Sequence, residues 1–216
     1  MAELIDALSK DFEGYEELNH FLRNCELKFG NDIDYVDEIA KGVVDHFNTY
    51  LRTIPTYRGG YFTGGCSPFN RTANYAKTLG AFPNGKRKDE YIIADSIGST
   101  PGKDINGPTA LMNSCLKFDH TLPASGFILN LKFDKQMFNS EAGADGFIAL
   151  CRSYFGQKGQ QLSITVVSLE DLLDAKVNPQ NHKDLIVRIG GYSARFIDLS
   201  PELQDNVIAR TSHITM

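Results

Sequence analysis

What this chain lacks narrows it first. No apolar run approaches the roughly 18 residues that a membrane-spanning helix needs. The opening "MAELIDALSKDFEG" is acidic and amphipathic, not basic-then-apolar, so it does not read as a secretory leader and a cytoplasmic protein is expected. Positive charge is not in excess: 22 Lys and Arg against 27 Asp and Glu leave a net charge of −5. That argues against a nucleic-acid or anionic-membrane partner. Cys25, Cys66, Cys115 and Cys151 form no CxxC pair, which excludes a zinc framework or disulfide scaffold and reads as four reduced thiols. His20, His46, His120, His182 and His213 show neither HxxxH nor HExxH spacing, so no metal site is expected. The acidic "NDIDYVDE" lacks the glycine at position six and the glutamate at twelve of a calcium loop. Asp32, Asp34, Asp37 and Glu38 are expected instead to cap a helix start and meet its dipole.

What is present is an ordinary globular composition, 42% apolar and 23% charged over 216 residues, enough for one domain with a real core. The first fifty residues read as helical. In "DYVDEIAKGVVDHFNTYL", Tyr35, Ile39, Val43, Phe47 and Leu51 recur at helical spacing and are expected to face the core. "YFTGG" reads as a short strand. A long stretch rich in Gly, Pro, Asn and Ser then runs from Cys66 to Gly107, a loop of a length that is commonly functional. Gly107 and Pro108 open a helix.

Beyond it the chain alternates. "GFILNLKF" predicts a strand, "SEAGADGFIALCRSYFGQ" a helix, "QLSITVVS" a buried strand and "SLEDLLDAK" a helix capped by Ser168. "DLIVRI" predicts another strand, and "DLSPELQDNVIARTSH" a closing helix with Ser200 as cap and Pro201 in its first turn. Strand–helix alternation means parallel α/β. Three or four such units are too few to close a barrel, so an exposed sheet edge that another polypeptide covers is expected.

"VRIGGYSARF", Val187 to Phe196, stands out. By pattern it fits a hairpin with a Gly-Gly turn, in which Ile189, Tyr192 and Phe196 are ordinary packing residues. The residues also resemble the signature of the glycyl radical enzymes, the pyruvate formate-lyase-like family. "LSPELQDNVIARTSH" resembles that family's C-terminal tail. "ADSIGSTPGKDINGPTALMNS", "FEGYEELNHFLRN" and "FGNDIDYVDEIA" resemble its branch of diol dehydratases and the choline-cleaving lyase. The resemblance runs from about Leu4 to His213, in the family's order.

The resemblance implies the C-terminal sector of a ten-stranded α/β barrel with N-terminal helices and a C-terminal glycyl radical loop. The expected parts are a helical segment over 1–60, a partial barrel sector over 61–170 and a glycyl radical domain over 171–216. It implies a radical stored on Gly191, where the amide nitrogen and carbonyl flanking a planar Cα delocalise the electron and a side chain would crowd that geometry. Gly190 would supply loop freedom, and Arg188 and Arg195 would anchor the loop through their fixed donors. Tyr192 and Phe196 would seal it in the core. No bound cofactor is implied. The radical would be installed by a separate activating enzyme using S-adenosylmethionine and an iron–sulfur cluster.

In the family the stored radical oxidises a cysteine on a facing loop, and that thiyl radical attacks substrate. No such loop occurs here. Cys66 in "TGGCSPFN" resembles it only in appearance, since the matching blocks on both sides mark a different segment. Cys25, Cys115 and Cys151 read as packing thiols on helices. The cysteine is therefore expected on a larger partner subunit, with a small-molecule substrate. The leading expectation is a dehydratase of a diol-like or hydroxylated small molecule, in a two-component lyase. Cleavage of a C–N or C–S bond, a spare part that repairs a broken enzyme, an excised C-terminal part of a single-chain enzyme and a scaffold without radical stand as alternatives. Where the branch commonly has Gln-x-Asn before "VV", this chain has Ser163 and Thr165. "KRKDEYIIADSI" also lacks the glycine and proline expected there. Both departures bear on the substrate class.

Overall fold

A computed structural model describes residues 1–67, 72–90, 93–94, 96–189 and 192–213. Three helices open it: α1 (Ala2–Ser9), α2 (Glu16–Asn24) and α3 (Asp34–Arg52). The expected core stripe of α3 is not its buried face: Tyr35, Ile39, Val43 and Phe47 are each more than half exposed. Asp37 and Asn48 are buried instead, with Ala40 and Val44 packed on the core. The polar partners decide which side turns inward. The Asp37 carboxylate accepts through Oδ2 from Ser114 Oγ at 2.9 Å and from Lys117 Nζ at 2.8 Å, so its buried charge is paired within the chain.

The acidic cluster places Asp34 and Asp37 in the first turn of α3, where they meet its dipole, but it does not cap the helix. The N-cap position of α3 is Ile33, with no side-chain cap. Asp32, Asp34 and Asp37 surround Lys117 Nζ at 3.1, 2.7 and 2.8 Å. Glu38 points to solvent.

The stretch read as a loop contains a short helix, α4 (Thr72–Thr78). "YFTGG" carries an isolated bridge, Tyr61 to Pro55, and Cys66 directly after it bridges to Phe127. Helix α5 (Gly107–Leu116) starts with Pro108 in its first turn. Strand β1 (Ile128–Phe133), helix α6 (Glu141–Gly156) and strand β2 (Gln161–Val166) make a parallel crossover unit. Its register runs from Ile128 opposite Gln161 to Phe133 opposite Val166. Helix α7 (Leu169–Val177) follows, with Ser168 Oγ accepting from Asp171 N at 3.1 Å.

The next strand, β3 (Ile186–Ile189), does not extend the parallel sheet; it pairs antiparallel with β4 (Tyr192–Arg195). Helix α8 (Pro201–Ala209) is capped by Ser200 and stops four residues before the expected His213. Ser212–His213 form β5, which pairs parallel with Lys132 and Phe133. The sheet order is β2-β1-β5. The described residues thus form an α/β segment with an open sheet, not a closed barrel.

Two cores result. One gathers Leu111, Met112, Phe127, Leu129, Phe133 and Tyr154 between α5, the sheet and α6. The other gathers Val167, Leu172, Val187, Ile189, Phe196 and Val207 between α7, the β3–β4 pair and α8.

Candidate functional site around the β3–β4 stem

The site grows out of a strand that alternates. Val187 and Ile189 are buried in the second core while Ile186 is exposed, the two-residue period of a strand with one face inward. Arg188 faces Ser193 across the pair, and Ile189 faces Tyr192. Gly190 and Gly191 join the two strands in sequence and lie outside the described residues. The hairpin pattern and the family signature are therefore not competing readings, because antiparallel strands flank the glycines.

Arg188 turns both of its backbone polar groups away from β4. Its N–H donates to Thr165 Oγ1 of β2 at 3.1 Å, and its carbonyl accepts from Arg210 Nη1 at 3.1 Å. At the far end of the stem, Phe196 N donates to Leu185 O at 2.8 Å. Phe196 O accepts from Gln204 Nε2 of α8 at 3.0 Å. The stem is thus held by β2, by α8 and by the C-terminal exit of α8.

The arginines expected to anchor the loop work locally. Arg188 Nη1 donates to Ser193 Oγ at 3.3 Å. Arg195 Nε reaches Asp198 Oδ2 at 2.9 Å, with both side chains more than half exposed. Phe196 is fully buried, whereas Tyr192 is 42% exposed in this chain.

A buried polar cluster supports Arg210. Lys132, on the central strand, donates through Nζ to the carbonyls of Val207 at 3.3 Å and Ile208 at 2.9 Å. These are among the orphan carbonyls at the end of α8, and Arg210 follows directly in extended geometry. Burial, followed by the Arg210 charge, lowers the Lys132 amine to about 8. Asp104 accepts from Ser99 Oγ at 2.9 Å and Thr211 Oγ1 at 2.5 Å, with His213 Nε2 at 3.5 Å. Burial alone would raise the Asp104 carboxyl, but His213, Thr211 and Ser99 outweigh it and hold it below the usual carboxylate range. A cavity of about 30 Å³ lies among Asp104, Lys132, Arg210 and His213, room for a water and not for an organic substrate.

Sequence reading missed this supporting set. Thr165 was visible as a departure from the branch pattern, and Arg210 lay inside the quoted tail block; neither carried a signal for its partner. Ser163, the other departure, is also buried on β2. Among the thiols, Cys115 lies on α5 and Cys151 on α6, while Cys25 ends α2 and Cys66 sits on the bridge to Phe127. All four are free. Burial raises Cys66, Cys151 and, most strongly, Cys115. Among the described residues no group of side chains is placed to hold a metal ion, and no helix is long and apolar enough to cross a membrane.

A strand pair flanking two glycines, packed beside a parallel α/β unit, is a fold with known counterparts. The family model described as Glycine radical matches residues 93–197, and the one described as Pyruvate formate lyase-like matches residues 1–76. Trans-4-hydroxy-L-proline dehydratase of Clostridioides difficile is 39% identical over 98% of this chain and 26% of its own length. Isethionate sulfite-lyase of Nitratidesulfovibrio vulgaris is 34% identical over 100% of this chain and 26% of its own. The glycerol-bound B12-independent glycerol dehydratase of Clostridium butyricum superimposes with a TM-score of 0.92 at 37% identity. That match covers 99% of this chain and 27% of the dehydratase. The chain belongs to the glycyl radical enzyme family and corresponds to the C-terminal part of its members. It spans about a quarter of the length of the curated relatives it matches.

Proposed function

We propose that this chain is the radical-bearing component of a cytoplasmic glycyl radical lyase. Gly191 stores the radical in a glycyl radical domain over 171–216, and a cysteine on a larger polypeptide is the group it oxidises. Residues 1–60 and 61–170 serve as helical and barrel-sector parts that seat this domain against that polypeptide. The observation that carries the reading is the family match running through the "RIGGYSARF" block, on a chain that spans only a quarter of its relatives.

The cycle balances in hydrogen atoms. The activating enzyme, with S-adenosylmethionine and its cluster, removes one hydrogen atom from the Gly191 Cα. The glycyl radical then takes a hydrogen atom from the partner cysteine and leaves a thiyl radical. That radical takes a hydrogen atom from a hydroxylated substrate, which loses water. The product radical recovers a hydrogen atom from the thiol, and the thiyl returns to rest by taking one from Gly191. Dehydration is the leading reaction because relatives named as dehydratases include the 39% identical one. Cleavage of a C–S bond is the second reading, favoured by the relatives named isethionate sulfite-lyase.

Electron paramagnetic resonance tests the assignment. The anaerobic chain, treated with a competent activating enzyme and S-adenosylmethionine, is expected to give a doublet from the one α-hydrogen left on Gly191. Gly191→Ala should abolish it. An undiminished doublet in that variant would place the radical elsewhere, and its absence in every condition would remove the radical reading.

A further inference from the structure

We propose that Thr165 and Arg210 are positioning residues that clamp the peptide of Arg188 and thereby set the geometry of the radical-bearing glycine three residues on. The inference rests on the assignment of the radical to Gly191. The guanidinium groups of the signature arginines bond elsewhere among the described residues. Arg188 spends its guanidinium on Ser193, and Arg195 spends its own on Asp198. The backbone of the stem is fixed from outside the hairpin, by a hydroxyl from the parallel sheet and a guanidinium from the C-terminal tail.

The two contacts are complementary. A strand residue directs its N–H and C=O to the same side, so Arg188 presents one donor and one acceptor to the space between β2 and the exit of α8. Thr165 accepts from the first and Arg210 donates to the second, both at 3.1 Å. Removing either leaves a polar backbone group in a place where Val187, Ile189 and Thr165 are all buried. Such a group finds no cheap substitute partner. Arg210 is itself held by its place in the chain. Lys132 fastens the carbonyls of Val207 and Ile208, and Asp104 fastens Thr211. The tail on either side of Arg210 is therefore tied to the sheet and to the 99–104 loop, and the guanidinium is aimed at the stem from a fixed base.

The consequence for the radical is geometric. Delocalisation between an amide and a carbonyl demands a planar Cα. A stem free to twist at Arg188 shifts the base from which Ile189 leads into the two glycines. The clamp is expected to narrow the range of twist without touching the reacting atom.

The test uses the full chain with Arg210→Met, Arg210→Lys and Thr165→Val. Hydrogen exchange in the unactivated chain reads the clamp directly. Residues 186–195 should exchange at least tenfold faster in Arg210→Met and Thr165→Val, with 128–133 unchanged, and Arg210→Lys should restore most of the protection. In activated samples, the splitting by the remaining α-hydrogen should broaden in the first two variants and the radical should decay several-fold faster. Unchanged exchange over 186–195 in both variants would overturn the proposal. So would an unaltered line shape and lifetime in variants that exchange faster. If Arg210→Met fails to fold, Thr165→Val, which removes one acceptor at nearly constant shape, decides the outcome. A wild-type chain that gives no doublet defeats the radical assignment instead, and the exchange measurement, which needs no radical, still judges the clamp.

Discussion

Lys132 brings a cation into the interior of the sheet at 2% exposure, and its interior position makes the chain's stability depend on alkaline pH. Its folded pKa is about 8, lowered by burial first and the Arg210 charge second, against 10.5 for an ordinary lysine. Between these values the unfolded chain binds more protons than the folded one, so this residue's contribution to stability rises with pH across that window. Below the window both states carry the proton, and above it both have lost it, so the contribution is flat on either side. Urea unfolding of the wild type and Lys132→Met across that range should show the wild type gaining relative to the variant, at no more than ~1.4 kcal/mol per pH unit. Parallel profiles would place the amine in contact with water. No sequence pattern announces this lysine, which sits in "NLKF" at a position the strand period turns inward. Its compensation comes from carbonyls 75 and 76 residues later. The glycyl radical signature was legible at this scale because it is written in neighbours along the sequence. Its supports were not, because they are neighbours only in space.

At the scale of elements, the helices capped by Ser168 and Ser200 and the strands β1 and β2 were readable from local chemistry. Serine caps and β-branched runs act within a few residues. β5 was not readable, since two residues acquire strand geometry only by meeting β1. α3 was readable as a helix and misread in orientation, because it is apolar on the face it exposes and polar where it is buried. Gly42 lies on this helix with nothing within 4 Å of where a side chain would begin. Glycine in an exposed helix interior costs about 1 kcal/mol relative to alanine. Gly42→Ala should therefore stabilise the isolated chain by about 1 kcal/mol in thermal or urea unfolding. If a partner helix crosses close at this point, the same variant should bind the larger component more weakly. Stabilisation without any loss of binding would leave Gly42 outside the interface.

For the whole molecule, Tyr35, Ile39, Val43, Phe47 and Tyr50 form one exposed apolar band along α3. A band of this kind marks an interaction surface in a protein of ordinary solubility. The isolated chain is expected to bind a hydrophobic dye such as ANS and to self-associate as concentration rises. Ile39→Glu with Phe47→Glu should suppress both without lowering the melting temperature, because neither side chain contributes to the chain's own core. A lower melting temperature would mean that the band packs within the chain. The sequence pointed to an unfinished α/β unit through its small number of strand–helix repeats. It pointed to a sheet edge and not to this helix face, because the apolar period of a helix is the same whether its partner lies in this chain or in another.

The pairing of β5 with β1 also governs the order in which the molecule can be made. β1 gains β2 soon after α6, and Cys66 and Ile97 bond Ile128 on the other edge, but Lys132 and Phe133 find their partners on that edge only in Ser212 and His213. Arg210 reaches the stem only at that same late stage. While residues 210–213 are still to be added, the nascent chain therefore carries that end of β1 without its β5 partner and the β3–β4 pair without the Arg210 contact. The contact that steadies the strand at Arg188 thus waits for a residue 22 positions further along the chain.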